Sequence, residues 1–252
     1  MTDEVSFEMA HCPICGLALL LMLSGCAARH AGPWDLPALT RPPRMEWGDQ
    51  RGPVRGLYYE GEPYAGHGTR VFAYYGAPDD VTDKVPAMVL VHGGGGEAFA
   101  EWVELWVRRG YAAMAMDLSG RGPDGERLPD GGPDQGDARE IEKFHHIARG
   151  VKEAWPYHAV ANVIRAHSLL RTLPEVAPGR IGITGISWGG YVTCIVAGLD
   201  DRFRLAVPVY ACGFLHENSE WLKTFARMSP RHRQLWIDNY DPSRYLPDCR
   251  MP

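Results

Sequence analysis

An α/β fold around a doubly wound, mostly parallel sheet is what this chain predicts, and three observations carry the prediction. The run Ala87 to Val91, "AMVLV", is apolar without interruption, as a strand buried on both faces of a sheet requires. Strand-like runs and helical patterns alternate over about 150 residues, which is the signature of strand–helix–strand units. Two of the strand-like runs end in glycine clusters, "HGGGG" and "GISWGG", each standing directly before a helical pattern.

At the N-terminus, "GLALLLMLSGC", Gly16 to Cys26, is too short to span a bilayer but has the length of a secretory h-region. Its ending Leu23-Ser24-Gly25-Cys26 resembles a bacterial lipobox. That resemblance implies a signal peptide over residues 1–26, lipidation of Cys26, and an exported protein, periplasmic or anchored to the outer membrane. Asp3, Glu4 and Glu8 precede the run with no Lys or Arg, whereas such signals begin with positive charge. A buried apolar helix start is the other reading. Cys12 and Cys15 would leave with the signal, and with no second pair in range they make no zinc site.

Residues 27–53 are rich in proline and lack periodicity, so they read as a linker or wrapping arm before a domain over 54–252. "RGLYYEGEP" and "TRVFAYYG" are β-rich partners. Beyond the first glycine cluster, Phe99, Trp102, Val103 and Trp106 recur at helical spacing, with Gly110 as the C-cap. "YAAMAM" is a strand ending at Asp117. A polar, glycine-rich stretch, 118–137, leads to a helix around Ala138 to Ile147, and a second helix spans about Tyr157 to Leu173, stopped by Pro174. "GRIGITG" is a strand and "SWGGYVTCIVAGL" a helix. "FRLAVPVY" is a strand in which Pro208, unable to donate to a ladder, marks an edge or a bulge.

Composition narrows the function classes. Hydrophobic residues at 45% and eight tryptophans supply a sizeable core. A net charge of −5 without a basic run leaves no footprint for nucleic acid. Contact with a membrane is expected only through the N-terminal lipid. Cys194, Cys212 and Cys249 are too few for a disulfide framework.

The candidate chemistry centres on Ser187, between Gly185 and Gly189 in a strand–turn–helix context. A sharp turn there presents the serine hydroxyl at the C-terminal edge of the sheet, where open α/β sheets bind ligands. The helix behind it favours negative charge on a reacting oxygen. Acyl transfer also needs backbone N–H groups aimed at the developing oxyanion. The run His92-Gly93-Gly94-Gly95-Gly96 lets backbone approach closely, so Gly94 and Gly95 are the expected donors, joined by the N–H of Trp188. A phosphate loop is disfavoured because no Lys-Ser/Thr follows the glycines.

Together, the HGGGG loop, "MDLSGRG", "WPY" before a long helix and "GRIGITGISWGGY" resemble the α/β-hydrolases. The likeness is greatest to the acetyl xylan esterase, dienelactone hydrolase and prolyl-oligopeptidase-like groups, over residues 55–252. The resemblance implies hydrolysis of an ester, such as an acetyl ester on a carbohydrate, through an acyl-enzyme on Ser187, with no metal or organic cofactor. A peptidase of the prolyl-oligopeptidase type is the alternative, although fewer than 60 residues precede the domain where a β-propeller would be expected. A non-catalytic lipoprotein that keeps the fold is the third reading.

In this superfamily the acid and then the histidine follow the serine, so His92 is read as shaping its loop rather than as the base. After Ser187 come only His216 and His232, with Asp200, Asp201, Asp238, Asp241 and Asp248 as acids. His232 sits in a basic helical stretch and reads as a surface residue. "DPSRYLPDCRMP" resembles the approach to the next strand, so the sequence reads as an incomplete hydrolase domain lacking the final strands and helix, the triad acid and the histidine. The stretch 118–156, with Trp155 and nearby Tyr157, is expected either to cover the site or to pack as a surface loop on its own aromatics.

Overall fold

The computed structural model describes residues 30–79, 82–136 and 142–252. The signal, the lipidation at Cys26, the pair Cys12 and Cys15, and the first residues of the helix expected from Ala138 lie outside the described residues.

The chain builds β1 (Met45–Arg51), β2 (Val54–Glu60), β3 (Arg70–Gly76), β4 (Val85–Val91), β5 (Ala112–Met116), β6 (Val176–Ile186) and β7 (Leu205–Val209) into one sheet in the order β1-β2-β3-β5-β4-β6-β7. The strands β5, β4, β6 and β7 run parallel and form the half that carries the glycine clusters. At the other end β1, β2 and β3 are antiparallel, and β3 also meets β5 antiparallel. The α/β class stands, with an antiparallel extension that the sequence reading paired but did not orient.

Helices cover both faces. The helix α2 (Ala100–Val107) lays Val103 on the face of Met88, Leu90, Ala113 and Ala115. The helices α4 (Trp155–Leu170) and α5 (Trp188–Leu199) cover the opposite face, formed by Val89, Val91, Met114 and Met116. Alternate residues of β4 and β5 therefore enter different cores, which is why both strands had to be apolar throughout. Further helices complete the fold: α1 (Leu36–Leu39), α3 (Glu142–His145), α6 (Leu222–Arg227) and α7 (Pro230–Tyr240).

Two sequence expectations are corrected. The stretch 27–53 is not free of regular structure, because β1 lies within it and pairs with β2 through Arg51 and Val54, inside the domain read as starting at 54. Residues 30–44 wrap the domain, with Trp34 buried and its Nε1–H donating to Tyr157 O at 2.9 Å. Strand β1 leaves little trace in the sequence because its side chains are mostly exposed and its alternation is weak. The second correction concerns Trp155 and Tyr157, which neither lid the site nor line a surface loop. Both are buried at the start of α4, where Trp155 donates to Leu118 O at 2.6 Å. Pro208 sits where a strand proline belongs, in the edge strand β7.

Candidate active site

Ser187 joins β6 to α5 at φ +56° and ψ −119°, a region that side-chain-bearing residues rarely occupy. The flanking glycines make the turn possible. A Cβ on Gly185 would strike the Gly189 carbonyl, and a Cβ on Gly189 would strike the carbonyls of Val91 and His92. The turn is further held by the Ser187 N–H, which donates to Val209 O at 2.9 Å. Ser187 is half-buried, at the C-terminal edge of the parallel strands. Trp188 is the first residue of α5, so its N–H has no intrahelical partner.

The glycine loop lies against this turn. A Cβ placed on Gly93 would come within 3.4 Å of Ser187 Cβ and 3.1 Å of Ile186 O. Gly96 N–H closes the loop onto Gly93 O at 3.1 Å, with Gly94 and Gly95 at its tip and Gly95 at φ +71°. His92 anchors the loop from below. Leu118 N–H donates to His92 Nε2 at 2.9 Å, and the other ring nitrogen lies 2.8 Å from Gly93 O, which can only accept. Both contacts require the neutral ring protonated on Nδ1. Burial accordingly lowers its pKa to about 4, against a smaller opposing effect of the Gly93 hydrogen bond. Gln135 braces the same loop with its Nε2 at 3.4 Å from Gly93 O and 3.5 Å from Gly96 O.

Beside Gly95 and Gly96 opens a cavity of about 400 Å³ whose polar lining includes Glu97, Ser119, Arg121 and Asp134. Arg121 and Asp134 pair across it at 2.8 Å. Asp117, at the end of β5, holds its floor by accepting from the N–H groups of Ser119 at 2.8 Å and Arg121 at 2.7 Å. Burial raises the Asp117 carboxyl to about 6, with those two hydrogen bonds acting in the opposite direction.

This arrangement coincides with a family match: residues 45–223 of the chain fit the family model for acetyl xylan esterase (AXE1). The chain belongs to the acetyl xylan esterase family. Solved structures agree on the fold. Acetyl xylan esterase from a Paenibacillus species is 22% identical with a TM-score of 0.62, covering 86% of this chain and 74% of that one. Acetyl xylan esterase 1 from a Thermoanaerobacterium species is 20% identical with a TM-score of 0.64, covering 88% and 78%.

The other residues singled out in this acetyl xylan esterase family member are distributed unevenly around the turn. Among the described residues, no hydrogen bond reaches the Ser187 hydroxyl. His216 lies with Nδ1 3.3 Å from Asp241 Oδ2 and Nε2 3.6 Å from Glu217 Oε1. Asp241 is fully buried and accepts from the N–H groups of Phe214, Leu215 and Ser243, so it serves the turn after β7. His232 is on α7, and Asp200 is bound to His167 and Arg202. Cys194, Cys212 and Cys249 are free thiols. Sequence reasoning missed Asp117, Gln135 and Lys143. An acid at the C-terminal end of a parallel strand is a readable signal for the first. A lone Gln and a lone Lys in a polar stretch carry none.

Proposed function

We propose that this protein is a serine esterase that removes acyl groups, foremost acetyl, from carbohydrate or similar esters through an acyl-enzyme on Ser187. The observation that carries the reading is the strained backbone of Ser187 at the β6–α5 turn, with Gly93 packed against it. Ser187 Oγ attacks the ester carbonyl as its proton passes to a histidine base. The oxyanion accepts from the Trp188 N–H and from Gly94 or Gly95. The alcohol leaves with the proton, and water then releases the acid from Ser187. We assign the base to neither His216 nor His232. Membership of the acetyl xylan esterase family and the polar cavity at Glu97, Ser119, Arg121 and Asp134 support a hydroxyl-rich alcohol over an apolar one. Export, with lipid on Cys26, is part of the proposal, and mass spectrometry of the mature N-terminus tests it.

The decisive experiment compares wild type and Ser187→Ala on an aryl acetate and on an acetylated xylo-oligosaccharide. Loss of both activities together with fluorophosphonate labelling at Ser187 is expected. A variant that keeps most of its rate would assign the chemistry to another nucleophile.

A further inference from the structure

A lysine with no exposed surface lies beneath this site. Lys143, on α3, is fully buried, and its contacts tie together two parts of the molecule that the reaction must keep in register. Its Nζ donates to Gln135 O at 2.5 Å. The Gln135 side chain in turn reaches the carbonyls of Gly93 and Gly96 in the glycine loop. On its other side the same Nζ stands 5.5 Å from the ring centroid of Trp188 and 5.9 Å from that of Trp155. Those separations are within the range of cation–π attraction. Trp188 is the residue whose N–H follows the nucleophile, and its ring is further enclosed by Phe144 at 5.7 Å and Trp221 at 5.3 Å.

The two halves of the expected oxyanion hole come from different elements, the β4–α2 loop and the β6–α5 turn. Pairing of Val91 with Gly185 brings the two segments together, but Gly94 and Gly95 stand beyond that register at the tip of the loop. Donors to an oxyanion must be held within about 0.5 Å of the productive geometry to be effective. A buried ammonium is costly unless hydrogen-bonded or paired. A side chain retained only to fill space would be served as well by methionine, which has a similar stem and no charge.

We propose that Lys143 is a positioning residue that locks the glycine loop, through Gln135, to Trp188, and so keeps the two oxyanion donors converged. This rests on the proposed esterase reading only for its catalytic consequence, since the coupling of the two backbone segments is a property of the folded chain.

The test uses Lys143→Met and Gln135→Leu in the full chain, read by amide hydrogen exchange at Gly96 and Ser187, whose N–H groups are bonded within the two segments, and by kcat and KM for an aryl acetate. Lys143→Met is expected to speed exchange at both amides about tenfold. It should also lower kcat at least about tenfold with KM within about twofold, a smaller loss than deleting a donor outright. Gln135→Leu should loosen Gly96 and leave Ser187 unchanged. If a folded Lys143→Met protein exchanges like wild type at either amide, the proposal is overturned. Should that variant fail to fold, wild-type exchange at Gly96 in Gln135→Leu overturns it equally. Absence of any Ser187-dependent turnover in wild type would refute the esterase reading instead, and the exchange data would still decide this one.

Discussion

Ser187 caps the N-terminus of α5, while Ser168 of α4 lies near Asp200 at the other end of α5, and the two surroundings differ in an instructive way. At its C-terminal end, about 18 Å along the axis from Ser187, Ser168, His167 and Asp200 bring together the residue types of a hydrolase triad. His167 Nδ1 is 2.8 Å from Asp200 Oδ2, and Arg202 ties Asp200 to Ser168. At the N-terminal end Ser187 has no such company among the described residues. Composition favours the first cluster, and physics favours the second. Ser168 is buried within α4, its hydroxyl within reach of the Ile164 and Leu39 carbonyls. The His167 ring is stacked on Phe203 at 3.6 Å, and burial lowers its pKa although Asp200 opposes the shift. Burial alone would raise the Asp200 carboxyl, but hydrogen bonds from Arg202 and His167 outweigh it and hold the group below the usual carboxylate range. Arg202 also donates to Thr40 O at 3.3 Å, so the cluster clamps the N-terminal arm. A triad needs a reachable nucleophile and unpaired N–H groups, and of these two serines Ser187 is the one that has both.

Deleting each hydroxyl in turn separates the two serines most widely. Ser187→Ala should lower kcat/KM on an aryl acetate at least about a thousandfold. Ser168→Ala should change it less than about twofold and cost about 1 kcal/mol of stability in a urea titration. Equal effects on activity would mean that the strained turn has been overvalued.

Next in size are the supports. Gly189→Ala, whose methyl would meet two backbone carbonyls, should destabilise by about 3 kcal/mol and abolish labelling of Ser187. Asp200→Asn strips a buried partner from Arg202 and should also cost about 3 kcal/mol. It should leave kcat per folded molecule intact, because the clamp is remote from the turn.

A gentler contrast comes from pH. His92 has a folded pKa of about 4 against an ordinary 6.5, so protons bind the unfolded chain first and its stabilising contribution, full above about 6.5, declines as pH falls toward 4. Asp117 acts in the opposite sense. Its pKa is raised from 3.8 to about 6, so its penalty at neutral pH is relieved as pH falls between those values. Asp117→Asn should therefore lose stability more steeply than wild type between pH 6 and 4. Parallel urea midpoints across that range would remove Asp117 from the account.

The smallest effect is expected at His216. If Asp241 serves only the turn after β7, His216→Asn should alter aryl acetate hydrolysis less than about threefold. A loss of a hundredfold would make the His216–Asp241 pair the missing base and acid.

Local rules were enough for several features. Uninterrupted apolar strands, helix periods and glycines placed around Ser187 are written into consecutive residues, because secondary structure and a tight turn depend on neighbours in the chain. The α/β class and the strained turn were therefore legible in the sequence, which also narrowed Pro208 to an edge or a bulge. The packing of β1 onto β2 was not, since a mostly exposed strand carries little alternation. Nor was the depth of Trp155 and Tyr157, which stand where a polar stretch meets the helix. Tertiary structure alone decided the tautomer of His92, the raised Asp117 and the burial of Lys143 between Gln135 and two tryptophans. Each of those depends on desolvation and on partners far apart in the chain, and water leaves a side chain only once the whole sheet and its helices have closed around it.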